Sequence, residues 1–391
     1  MTVYEKALAL HEEWNGKIST NSKCPLKDRD DLSVAYTPGV AEPCRQIHKN
    51  PDDVYKYTWK GNTIAVVSDG TAVLGLGDIG PAGGLPVMEG KCVLFKKFGG
   101  VDAVPLCIDT KDPQEIIKFC KQIAPTFGGI NLEDISAPRC VEIERALIHD
   151  LDIPVFHDDQ HGTAIVVTAA VINSLKLTGK KAEDCKVVVS GVGAAGSSIM
   201  RMLYNLGIRK IYGFGSKGII LKEDYEKYDF LKKEITEFTN PENKRYTLAE
   251  TMKGADIFVG VSVPGVVTEE MVKSMAPKSI VLPMANPEPE ITYEKAKAAG
   301  AYIVGTGRSD YPNQINNVLA FPGLFRGALD CRSRKITEEM KIAAARGLAS
   351  LISDSELAPE LVIPSAFDER VAPTVAKAVA EEARKAGLAR I

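Results

Sequence analysis

Apolar and polar positions follow two rhythms along the chain. In the first half, short apolar runs at 64–67, 92–95, 104–107 and 153–156 predict strands, and apolar residues three and four apart over Pro113–Ile123 and 139–149 predict helices. From residue 161 the pattern changes. A long apolar helix is predicted over 163–176. A β-branched run, Val187 to Val189, then leads into a cluster of glycines. Ile199, Met202, Leu203 and Leu206 recur at helical spacing, Gly207 stops that helix, and 211–214 return as a strand. Further strands are predicted at 257–261, 279–282 and 301–304, with helices at 268–275 and 293–299 between them. Two helices, 337–352 and 371–386, close the chain, and their apolar periodicity marks them as packed elements rather than linker. Residues 1–13 read as an amphipathic helix, with acidic residues where a secretory segment would be apolar. Strand–helix alternation of this kind predicts an α/β protein. Two domains are expected: an N-terminal α/β domain over 1–160 and a C-terminal Rossmann-type domain with closing helices over 161–391.

The glycine cluster changes the picture most. Gly191, Gly193 and Gly196 stand in G-x-G-x-x-G spacing between a predicted strand and a predicted helix. Glycines so placed let the chain turn sharply and bring bare backbone N–H groups, here including those of Ala194 and Ala195, to a pyrophosphate at a helix N-terminus. A nicotinamide or flavin cofactor, and so redox chemistry, follows. Gly75, Gly77 and Gly80 match the same spacing, but Pro81-Ala-Gly-Gly-Leu-Pro86 comes next, a stretch too crowded with glycine and proline to open a helix. Context therefore assigns the cofactor turn to 191–196.

NAD enzymes carry an acidic residue about 20 positions beyond the glycines, on the adenosine ribose. Gly215 occupies that place here, followed by Ser216 and Lys217. Without a carboxylate there is no repulsion against a 2′-phosphate, and an ammonium with a hydroxyl can hold one. The pattern leans toward NADP.

Composition narrows the classes. The chain has 391 residues, 45% hydrophobic and 25% charged, as in ordinary globular proteins. A net charge of −3 without a basic block argues against nucleic acid, and no apolar run reaches the length of a membrane span. Eight scattered cysteines without a C-x-x-C pair read as free thiols in a reducing cytoplasm.

Two acidic clusters follow apolar runs: Asn131-Leu-Glu133-Asp134, and His157-Asp158-Asp159-Gln160-His161. As helix caps and surface acids they would need no cation. Gathered at strand carboxyl ends they would repel one another unless magnesium or manganese held them together. His157 and His161 lack the intervening Glu and the cysteines of a zinc site. Lys91 follows a glycine-rich stretch and has Val87, Met88, Val93 and Leu94 around it; desolvation there is expected to lower its pKa toward that of a usable base.

Taken together and in order, these motifs resemble those of the short, prokaryotic-type malic enzymes. The resemblance is carried by Ala35-Tyr36-Thr-Pro-Gly-Val, Val66-Val-Ser-Asp-Gly, Leu74-Gly-Leu-Gly-Asp, Gly84-Leu-Pro-Val-Met-Glu-Gly-Lys91, Asn131-Leu-Glu-Asp, His157-Asp-Asp-Gln-His-Gly-Thr163, Met284-Ala-Asn286-Pro and Asn316-Asn317-Val-Leu-Ala-Phe-Pro-Gly. It implies oxidative decarboxylation of malate to pyruvate. Glu133, Asp134 and Asp159 would hold the divalent metal, a Lewis acid toward the malate C2 oxygen. Asp158 would stand beside it and Lys91. Lys91 would be the general base and Tyr36 the general acid, while Asn286 and Asn317 would bind the substrate carboxylate. Larger members of that family carry a carboxylate-clamping arginine after the Asp-Gly pair; here the loop reads Thr71-Ala72-Val73. Thr71, a backbone N–H, or a residue from elsewhere or from a partner subunit would replace it. A plain malate dehydrogenase or malolactic-type enzyme accounts less well for the metal block together with Lys91 and Tyr36, and a silent dinucleotide-binding sensor would not be expected to keep all of these residues. A homodimer or higher homo-oligomer is the expected assembly.

Overall fold

The computed structural model describes residues 2–73 and 75–391. Met1, at the start of the predicted first helix, and Leu74, which opens the Leu-Gly-Leu-Gly-Asp motif, lie outside the described residues.

Two parallel sheets organise the chain. The first contains β1 (Thr63–Ser68), β2 (Asp102–Cys107), β3 (Gly129–Leu132) and β4 (Val155–His157), in the order β2-β1-β3-β4. The second contains β5 (Lys186–Ser190), β6 (Lys210–Gly215), β7 (Gly218–Ile219), β8 (Ile257–Gly260), β9 (Ile280–Pro283) and β10 (Ile303–Val304), in the order β10-β9-β8-β5-β6-β7. All its pairings are parallel except the short β6–β7 hairpin. The apolar runs fit this arrangement, because a parallel strand covered by helices on both faces has no polar side; every residue of β1 is buried.

Strand order creates two crevices. The chain leaves β1 for β2 on one side and returns to β3 on the other; it leaves β5 for β6 and returns to β8. Ligands bind open α/β sheets at the carboxyl ends of strands flanking such reversals. Glu133 follows β3, and the 191–196 glycines follow β5, so each candidate cluster emerges at one of these points.

One expectation about the first half fails. Residues 92–95 are not a strand. They lie in a 20-residue helix, Gly80–Gly99, which also contains the Gly-Pro stretch expected to resist helix formation. Pro81 stands in the first turn, where a missing N–H costs nothing. Pro86 and Ala82, whose carbonyl loses a donor to Pro86, are both exposed, so water can satisfy that carbonyl. Gly84, Met88, Lys91, Cys92, Phe95 and Gly99 form the buried face at three- and four-residue intervals. Packing of that face outweighs local propensity: Phe95 meets Phe321 at 4.6 Å and Phe325 at 5.5 Å between ring centres.

The helix Asp158–Thr178 is buried on nearly every side and links the two sheets. It packs against the helices Ala194–Asn205 and Glu338–Ala349, and one continuous apolar core spans both halves. The N-terminal arm is the opposite case. Its helices Val3–Trp14, Arg29–Ala35 and Ala41–Lys49 contain no buried residue. Local capping starts the first two: Thr2 and Glu5 form a reciprocal capping box, and the Asp28 carboxylate accepts from the Asp31 N–H. Among the described residues no helix is long and apolar enough to cross a membrane. All eight cysteines are free.

Candidate active site

The two crevices open into one cleft of about 1390 Å³, larger than a single small ligand needs. Glu133, Asp134, His157, Asp159 and Lys91 line one part of it. Gly193, Ala194, Ala195, Gly196 and Ser262 also line it, as do Asn286 and Asn317.

Glu133, Asp134 and Asp159 each offer a carboxylate oxygen, and these oxygens lie within 4.8 Å of one another. The backbone that presents them is unusual. Asp134 has φ +53°, a left-handed conformation disfavoured for a residue with a Cβ. It is held there from two sides: its N–H donates to Asp159 Oδ2 at 2.8 Å, and its carbonyl accepts the Ala72 N–H. Asp158 and Asp159 occupy the first turn of a helix, where the dipole favours negative charge. Burial and the neighbouring acids push Glu133 well above the ordinary carboxylate range and Asp134 up to about 7. Asp134 Oδ2 and Asp158 Oδ1 are buried without a hydrogen-bond partner. Crowded hard oxygens with unspent acceptor capacity fit a hard divalent cation.

Lys91 lies between the acids. Its Nζ is 2.6 Å from Asp158 Oδ2 and 2.8 Å from Glu133 Oε1, and sits 4.3 Å above the centre of the Phe321 ring. The expected lowering of its pKa is overturned. Burial does pull it down, but Asp158, Glu133 and Asp159 together pull it further up, above the ordinary lysine value. The apolar neighbours visible in the sequence desolvate the ammonium; the carboxylates, distant in sequence, decide its charge. Gly162, one helical turn after Asp158, makes the pair possible, since a Cβ there would lie 1.9 Å from Asp158 Oδ1.

The glycine turn divides its work among its members. A Cβ on Gly196 would lie 1.7 Å from the Gly191 carbonyl oxygen, and one on Gly191, at φ +100°, would lie 2.3 Å from the Val261 carbonyl oxygen. Those two glycines are required by close packing of strand, turn and helix. Gly193 faces open space, and its neighbours line the cleft. A backbone cradle without side chains is the shape a pyrophosphate requires.

Four residues singled out in the sequence, Ser216, Lys217, Tyr36 and Thr71, are not part of the cleft lining. Ser216 and Lys217 form the exposed turn between β6 and β7, outside the cleft lining. Tyr36 is 68% exposed at the end of the Arg29–Ala35 helix and does not line its own chain's cleft. The Thr71 hydroxyl, offered as a carboxylate clamp, is already spent: it donates to Asp69 Oδ1 and accepts from the Ser136 N–H and Arg139 Nη2.

Sequence reading missed several supports. Arg139 pairs with buried Asp69 at 2.8 Å and so ties the Asp-Gly-Thr loop to the Arg139–Asp150 helix. Glu290, fully buried, accepts N–H groups from Ser262 and Ala285 and joins the loops after β8 and β9 that border the cleft. Glu144 is buried on an otherwise apolar helix face, and that charge at an apolar position was the one available signal. Nothing local distinguishes Glu290 or Arg139.

The parallel sheet, its crevice and the glycine cradle define a dinucleotide-dependent oxidoreductase. The malic enzyme N-terminal domain family matches residues 15–148, and the malic enzyme NAD-binding domain family matches 160–384. The chain is 55% identical over 391 residues to the bifunctional malic/malolactic enzyme of Bacillus subtilis (strain 168), covering all of this chain and 95% of that one. It is 56% identical over 375 residues to the NAD-dependent malic enzyme of Geobacillus stearothermophilus, covering 96% and 78%. The crystal structure of malic enzyme from Pyrococcus horikoshii Ot3 superposes with a TM-score of 0.95 at 49% identity, over 100% of this chain and 92% of that chain. The chain belongs to the malic enzyme family, and is an oxidoreductase that uses NAD or NADP.

Proposed function

We propose that this protein oxidatively decarboxylates (S)-malate to pyruvate and carbon dioxide, prefers NADP, and uses Mg2+ or Mn2+ held by Glu133, Asp134 and Asp159. One observation carries the reading: three clustered carboxylates and a doubly paired lysine share a cleft with a bare-backbone dinucleotide cradle. A bound divalent cation supplies Lewis-acid polarisation of the substrate C2 oxygen. Were a cation to take Glu133 as a ligand, Lys91 would lose one of the three carboxylates, Asp158, Glu133 and Asp159, that keep it charged. Lys91 then removes the C2 hydroxyl proton as hydride leaves for the nicotinamide, with Asp158 holding the ammonium that forms. Asn286 and Asn317 orient the carboxylate through their amides. The C4 carboxylate leaves as carbon dioxide, and Tyr36 returns a proton to C3.

The exposure of Tyr36 bears on the assembly. An arm with no buried residue, carrying Val3, Tyr4, Leu8, Leu26 and Val34 in water, fits the expected homo-oligomer, where it can be covered. Tyr36 then serves the cleft of a second copy. Residues 1–160 supply the metal ligands Glu133, Asp134 and Asp159 together with Lys91 and Tyr36, and 161–391 supply the nucleotide site together with Asn286 and Asn317.

A steady-state assay with malate, crossing NAD and NADP with Mg2+ and Mn2+ while pyruvate and carbon dioxide are measured, tests the reading. Turnover should require metal and should be lost in Asp159→Ala while the fold is kept; full activity in metal-free protein refutes it. The Bacillus subtilis relative's name favours one second reading, a malolactic activity, which lactate measurement in the same assay would detect.

A further inference from the structure

Behind the acidic cluster, four polar side chains from four helices meet in the core. Glu144, on the Arg139–Asp150 helix, has its Oε2 2.9 Å from His161 Nε2. His161 belongs to the Asp158–Thr178 helix, and its Nδ1 lies 2.9 Å from Ser198 Oγ on the Ala194–Asn205 helix. Lys341, on the Glu338–Ala349 helix, places its Nζ 3.1 Å from His161 Nε2 and pairs with Glu338 at 2.8 Å. The other Glu144 oxygen accepts the His157 N–H at 2.8 Å. All four are buried. None lines the cleft.

Apolar residues of similar volume in such a place are often as stable or more so, so stability alone does not explain these groups. Their position does more. His157 caps the helix whose first turn carries Asp158 and Asp159. Ser198 lies in the helix whose first residues, Ala194 to Gly196, face the cleft as part of the cradle. His161 therefore touches the nucleotide helix with one ring nitrogen. With the other it touches Glu144, the carboxylate that fixes the start of the metal-bearing helix.

We infer that Glu144 and His161 are positioning residues that couple nucleotide binding on the Ala194–Asn205 helix to divalent-metal binding at Glu133, Asp134 and Asp159. This rests on the function proposed above. A nucleotide that settles the N-terminus of that helix fixes Ser198, and through His161 and Glu144 it fixes His157 and Asp159. Linkage makes the effect reciprocal: metal tightens nucleotide by the same factor.

The test is Mn2+ binding without malate, measured by electron paramagnetic resonance of free Mn2+ with and without saturating NADP. In the wild type NADP should tighten Mn2+ by about 5- to 100-fold. Ser198→Ala should bring that factor to within about twofold of one while Mn2+ alone binds within about threefold of wild type, and Ser198→Thr, which restores the hydroxyl, should recover the coupling. Glu144→Gln should weaken Mn2+ itself at least tenfold; if it does not fold, the Ser198 pair decides. Wild-type coupling retained in Ser198→Ala, or no coupling in the wild type, overturns the inference and leaves the proposed function standing. Failure of the wild type to bind Mn2+ overturns the inference, and failure to bind Mg2+ as well overturns both.

Discussion

Lys91 shows what a buried charge depends on. A lysine among valines and a methionine should shed its proton, yet two carboxylates within 2.8 Å hold it. Asp134 shows the reverse: burial, reinforced by the neighbouring acids, raises it from the ordinary 3.8 to about 7. A carboxyl raised on folding contributes stability in metal-free protein that is complete below the unfolded pKa and is lost as pH rises through about 7. A cation competes with that proton. Adding Mn2+ should therefore raise Tm by a few degrees at pH 8 and by much less at pH 5.5, as a cation bound only to the folded state contributes about 2.7 kcal/mol at 100 times its Kd. Thermal melts at the two pH values check this; an equal or larger shift at pH 5.5 would count against a site built on these acids.

Among the elements, the β6–β7 hairpin and the helix Gly80–Gly99 are the informative cases. Gly215 ends β6 where an acidic residue would read the ribose, and Lys217 sits in the turn beyond. Lys217→Ala should lower kcat/KM for NADP by roughly ten- to a hundredfold, the weight of a charge-assisted contact, and leave NAD nearly unchanged. The single lysine change is cleaner than Gly215→Asp, because a Cβ at Gly215 would press on Val192 Cγ2 at 3.1 Å. An unmoved NADP-to-NAD ratio would mean that the lysine faces solvent. In the Gly80–Gly99 helix, glycines and prolines spoke against a helix and the buried face at 84, 88, 91, 92, 95 and 99 spoke for it. Packing won because the face carries Phe95 into the core, whereas the costs of Pro86 fall in water.

For the whole molecule the open question is where Tyr36 works. If it serves a second copy's cleft, Tyr36→Phe and Lys91→Ala chains should complement each other. Co-expressed with different tags and purified as the mixed dimer, they form one cleft with both defects and one with neither. About half of wild-type activity per dimer is expected, since symmetry gives each dimer two equivalent clefts. Two clefts that draw all their residues from one chain would stay as inactive as the parent proteins.

The sequence by itself determined the elements whose signal is local. Apolar runs located eight of the ten strands among the described residues; β3, four residues that open on a glycine, and β7, two residues at a turn, were not predicted as strands. The glycine turn between β5 and its helix was legible because close packing demands glycine at 191 and 196 whatever surrounds them. The acids 133, 134, 158 and 159 were legible as clusters because each pair is contiguous in the chain. Only the tertiary structure decided that Lys91 is charged, that Thr71 has no capacity left for a substrate, that Tyr36 stands outside its own cleft, and that Glu144, Arg139 and Glu290 hold the walls in place. Apart from Tyr36, whose place follows from the exposed course of the N-terminal arm, these turn on groups distant in sequence brought within about 3 Å in space, and electrostatic and hydrogen-bond energies are set by that separation and by burial, not by order along the chain.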